Sequence, residues 1–73
     1  MADVKVERGR RFRAAREACN LTLGEAARAI GVDARTLRSW EDARTEPRLY
    51  KFIAMLDLYH VSADALAAGA SAR

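Results

Sequence analysis

The stretch Leu21-Thr-Leu-Gly-Glu-Ala-Ala-Arg-Ala-Ile30-Gly-Val-Asp-Ala-Arg-Thr-Leu-Arg-Ser-Trp40-Glu-Asp-Ala-Arg-Thr-Glu-Pro47 decides the fold. The Thr22 hydroxyl can cap the free amides of a helix's opening turn, and Glu25 three residues later completes a capping box. Ala26, Ala27 and Ile30 supply the apolar positions. Gly31 then offers the left-handed backbone that stops a helix, and Asp33 is a second good N-cap. Val32 and Leu37 flank Asp33 at the two positions of a hydrophobic staple, which fixes the angle at which the next helix departs. The spacing predicts a second helix from about Ala34 to Asp42 that buries Leu37 and Trp40.

A tight turn anchored on both sides holds two helices at a steep angle, so one face of the second helix protrudes. That face carries Ala34, Arg35, Arg38 and Ser39. On an isolated amphipathic helix these would read equally well as ordinary solvated residues. The capped pair on either side of Gly31 gives them a reason to project.

Outward from this pair, Leu49, Phe52, Ile53 and Leu56 follow the i, i+3, i+4, i+7 spacing of an amphipathic helix. Val61 and Leu66 bracket Ser62 as another staple around an N-cap, opening a short final helix. Strand alternation is confined to Val4 to Val6, and no Asn-Gly hairpin signal occurs, so the expected fold is all-α. Residues 1–5 and 69–73 read as flexible arms around one domain over 6–68.

The 73 residues make a single small domain; a chain this short buries roughly 60% of its unfolded surface. Sixteen of its apolar residues are alanine, which favours helix but buries little area. No nucleophile, base or metal-ligand cluster is present, so neither an enzyme nor a bound cofactor, metal or small-molecule ligand is expected. Cys19 and His60 are single and distant; the first reads as a small buried hydrophobe, the second as the end of a helix. With one cysteine, no secretory segment and no apolar run of membrane length, the chain reads as a reduced cytoplasmic protein with no membrane partner. The net charge is +3, but residues 1–51 hold twelve of the thirteen basic residues against eight acids. Eleven of the thirteen are arginine, whose fork suits phosphate and guanine.

The chain resembles the lambda-repressor-like family, the Cro/XRE-type regulators of phages and bacteria, over about residues 6–66. The resemblance is carried by Gly9, Phe12 and Arg16, by Leu21-Thr22, Glu25, Ala27 and Ile30-Gly31-Val32, and by Thr36-Leu37 and Trp40-Glu41. Pro47, Leu49, Val61-Ser62 and Leu66 complete it. It implies five helices, with the second and third forming a helix-turn-helix, and an ion pair between Arg16 and Glu41 that ties the first helix to the third. It departs at Leu23, where many relatives carry a DNA-contacting glutamine, and at Ala43 and His60, where a helix-ending glycine is common. Ala26 and Leu56 depart together, as a volume exchange across one core site.

The resemblance further implies a sequence-specific regulator of transcription, in the first place a repressor, that reads double-stranded DNA as a homodimer on a palindromic operator. Base contacts map to Ala34, Arg35, Arg38 and Ser39, with Arg35 the foremost candidate for guanine. Backbone contacts map to Thr22, Leu23, Thr36 and Arg44, and Arg48 to a narrow minor groove. Apolar residues beyond what one small core needs point to Met55, Leu58, Tyr59, Ala63 and Leu66 as the dimer surface. The alternative is an antitoxin or other protein-interaction module on the same fold; its mark would be a long partner-binding tail, and few residues follow Gly69.

Overall fold

Four helices begin on a side chain that occupies free amides of the first turn. Asp3 accepts from the Lys5 amide at 2.8 Å, Thr22 from Glu25, Asp33 from Thr36 and Ser62 from Ala65. The helices they open are α1 (Val4–Ala18), α2 (Leu23–Ile30), α3 (Ala34–Glu41) and α5 (Ala63–Ala67); α4 (Leu49–Tyr59) starts after Arg48 without a side-chain cap. The computed structural model describes residues 3–67, and no strand occurs among them. The molecule is therefore the all-α, five-helix domain expected. The Asp3 cap brings residues 3–5, expected as part of an N-terminal arm, into the start of α1; residues 1 and 2 lie outside the described residues. The expected C-terminal tail at 69–73 lies outside the described residues.

The capping box of α2 is complete, with the Glu25 carboxylate accepting from the Thr22 amide at 2.9 Å. Gly31 ends the helix at φ 91°. The ends of α1, α3 and α4 reach the same left-handed region without glycine: Asn20, Ala43 and His60 lie at φ 58°, 62° and 58°. Asparagine tolerates this conformation, whereas alanine and histidine pay for their Cβ there.

Helix α1 packs on α3 and α5, α2 packs on α3 and α4, and α4 packs on α5. The shared core is Phe12, Ala26, Ala27, Ile30, Leu37, Trp40, Met55, Tyr59 and Leu66. At Gly9 helix α1 meets the end of α3 backbone to backbone; a Cβ there would stand 2.5 Å from the Glu41 carbonyl oxygen. No larger residue fits without moving a helix.

Two expectations about α4 are corrected. Its core stripe is Phe52, Met55, Leu56 and Tyr59, rotated about 60° from the expected Leu49, Phe52, Ile53 and Leu56. Leu49 is 73% exposed and Ile53 48%. Met55 and Tyr59 on α4, and Leu66 on α5, all expected on a dimer surface, are instead buried in the chain's own core. Leu58 is half-buried against that core, and Ala63 alone of the five is exposed. Cys19 is half-buried, with its thiol 3.6 Å from the Tyr59 carbonyl oxygen.

Candidate nucleic-acid interface

The helix that carries the projecting face is fixed from behind. Arg16 Nε donates to Glu41 Oε2 at 2.8 Å and its Nη2 to Glu41 Oε1 at 3.0 Å, a bidentate pair. The third guanidinium nitrogen, Nη1, donates to the Leu21 carbonyl at 3.0 Å. One side chain thus joins α1, the residue ahead of α2 and the end of α3. The two partners retain only 11% and 5% exposure, and the hydrogen bond to Glu41 raises the Arg16 pKa above its ordinary value.

At its other end α3 is held by Asp33, whose carboxylate accepts the Thr36 amide at 2.9 Å. That bond stabilises the charged form and lowers the Asp33 pKa below its ordinary value. Between these two fixings the outer face of α3 is free. Arg35, Arg38, Ser39 and Asp42, with Arg44 from the following loop, line one open cleft of about 430 Å³.

Within this cleft the expected residues differ in what they have left to offer. Arg35 is exposed and its guanidinium makes no hydrogen bond or ion pair among the described residues; its field reaches the nearby Asp33 carboxylate. The Arg44 side chain is exposed and likewise has no partner among the described residues. Arg38 is paired loosely with Asp42 at 3.8 Å, one helical turn away, on an open surface where such a pair is easily exchanged. The Ser39 hydroxyl is already bonded to that of Thr45 at 2.8 Å. Ala34 is half-buried and packs against the core, so little of it remains on the outer face.

The residues expected along the DNA backbone are dispersed. Thr22 is exposed, but its hydroxyl and amide are spent on the capping box. Leu23 is half-buried against the core and, with Arg13, Arg38 and Asp42, edges a notch of about 100 Å³ between α1, α2 and α3. The Thr36 amide is taken by Asp33. Arg48 is exposed at the N-cap of α4 and makes no capping bond.

Three further residues shape this region and were not expected to. Glu46 bonds Arg8 at 3.1 Å and approaches Lys5 at 4.0 Å, fastening the loop before α4 to the first turns of α1. Thr45 holds Ser39. The Lys51 ammonium donates to the carbonyls of Ile30 and Gly31 at 3.1 and 3.3 Å, so it caps the C-terminal end of α2 from α4. A polar Thr-Glu-Pro run marks the loop in sequence, but nothing local marks Lys51 as a cap. On α1, Arg11 reaches the Ala65 carbonyl at 2.8 Å and Arg13 pairs with Glu17 at 3.0 Å. Much of the helix's positive charge is therefore spent inside the molecule.

Two short capped helices around a left-handed glycine, with an arginine-lined cleft on the outer face of the second, define a helix-turn-helix module. The chain belongs to the helix-turn-helix domain family, whose model matches residues 7–69. This agrees with the Cro/XRE likeness and points to a DNA-binding regulator. No curated protein and no solved structure matches the chain. Among the described residues no helix is long and apolar enough to cross a membrane, and no group of metal-binding side chains occurs.

Proposed function

We propose that the chain is a sequence-specific transcriptional regulator, acting as a repressor by occupying a palindromic operator with two copies, each laying α3 in a major groove. The observation that carries this reading is the cleft on α3, where the free guanidinium of Arg35 stands beside Arg38 and Arg44 on a helix held rigidly at both ends. Arg35 bonds guanine O6 and N7 with its fork, a contact worth about 1–3 kcal/mol of discrimination. Arg38 reaches a base edge on the neighbouring flank, Arg44 holds a phosphate, and Arg48 enters the neighbouring minor groove where A·T pairs narrow it. A single module touches few base pairs, which favours two copies on a symmetric site.

The test is selection of bound sequences from a random duplex pool, followed by titration of the selected site and of an unrelated duplex with wild type and Arg35→Ala. Arg35→Ala should weaken the selected site by about 5- to 150-fold and leave the unrelated duplex nearly unchanged. Equal loss on both duplexes would remove Arg35 from base reading, and a selected site without two-fold symmetry would remove the dimer.

A further inference from the structure

We propose that Ser39 is a positioning residue that presents Arg44, and does not read a base. This rests on the DNA-binding reading above.

Three bonds converge on Ser39. Its carbonyl accepts the Arg44 amide at 2.9 Å and the Thr45 amide at 3.4 Å, while its hydroxyl meets the Thr45 hydroxyl at 2.8 Å. The chain between them reverses through Ala43, whose left-handed backbone leaves the turn without glycine's ease but with less freedom to move once formed. The outcome is a closed turn at the end of α3, from Ser39 to Thr45, with Arg44 exposed on it and sharing a cleft with Arg35 and Arg38.

A serine on the outer face of a reading helix needs its hydroxyl free to bond a base edge. Here that hydroxyl is already engaged by a neighbour six residues on, so a bond to a base edge has to compete with an existing 2.8 Å contact. An arginine on a loop, by contrast, loses much of its phosphate affinity to the cost of ordering a long side chain and its backbone. The Ser39–Thr45 bond meets part of that cost before DNA arrives. It acts on affinity for any duplex and on the number of phosphates engaged, and leaves the choice among sequences to Arg35 and Arg38.

Two measurements test this. In the first, affinity for the selected site and for an unrelated duplex is followed against salt concentration for Ser39→Ala, Thr45→Val, the double variant, Thr45→Ser and Arg44→Ala. The single variants should weaken both duplexes alike by about two- to tenfold, the span of one neutral hydrogen bond. The double variant should be no worse than either, and Thr45→Ser should restore wild-type binding. The slope of log K against log salt should move toward that of Arg44→Ala, itself lower by about 0.9. Loss confined to the selected site in Ser39→Ala, with Thr45→Val silent, would make Ser39 a base reader and overturn the proposal. In the second, amide hydrogen exchange at Arg44 is measured without DNA and should quicken in Thr45→Val. Unchanged exchange would overturn the clasp. Should the wild type bind no duplex at all, the DNA reading fails separately, and the exchange measurement still decides whether the clasp exists.

Discussion

Gly9 and Gly24 are both helical glycines with opposite surroundings. A Cβ at Gly9 would meet the Glu41 carbonyl oxygen at 2.5 Å and the Trp40 carbonyl oxygen at 3.1 Å, while one at Gly24 would meet nothing within 4 Å. Alanine gains up to about 1 kcal/mol over glycine in a helix interior. At Gly9 the obstructing atoms are backbone and cannot turn aside, so an overpacking cost of about 1–3 kcal/mol outweighs that gain. Denaturant unfolding should therefore show Gly9→Ala destabilised and Gly24→Ala unchanged or more stable. Ala43 and His60 pose the converse case, since each holds a conformation that costs an L-residue about 1–2 kcal/mol. Ala43→Gly and His60→Gly should each raise the unfolding midpoint, net of glycine's greater freedom in the unfolded chain. A lowered midpoint in both would mean that neither backbone is strained.

Among the elements, α2 and α3 were legible because their signals are local. Thr22, Glu25, Gly31 and Asp33 act within a turn of where they stand, and the structure uses each as its chemistry suggests. Helix α4 was legible as a helix but not in rotation. The stripes Leu49-Phe52-Ile53-Leu56 and Phe52-Met55-Leu56-Tyr59 share two residues and satisfy the same spacing. What separates them is tertiary: Lys51 must point at the end of α2, and Phe12 must meet Phe52, whose ring lies 6.2 Å away. The Ser39–Thr45 bond was hidden for a related reason, because a hydroxyl pair across a loop leaves no periodic trace. The joint between α1 and α3 is testable as a unit. Arg16→Leu or Glu41→Leu alone strands a nearly buried charge and should cost about 3 kcal/mol, whereas the double variant should recover a substantial part of it. Strictly additive losses in thermal unfolding would show that the two side chains do not depend on each other.

For the whole molecule, resistance to alkali should depend on Tyr59. Its hydroxyl is buried without a hydrogen-bond partner among the described residues, and burial, aided by the nearby Glu41 carboxylate, pushes its pKa up to about 12 from an ordinary 10.0. The folded chain thus favours the neutral phenol. That contribution is fully present below pH 10 and is lost as the pH rises toward 12. Tyr59→Phe forfeits no hydrogen bond, so it should match or exceed wild-type stability at neutral pH and show a shallower decline above pH 10. An equally steep decline in both would place the alkaline sensitivity elsewhere. The contact at Gly9 also has a mechanical meaning. Helix α1 is a rod of about 22 Å bearing directly on the tip of α3, with no compressible side chain between them. Gly9 leaves nothing between the two helices to yield, so a displacement of α1 at this point carries the end of α3 with it.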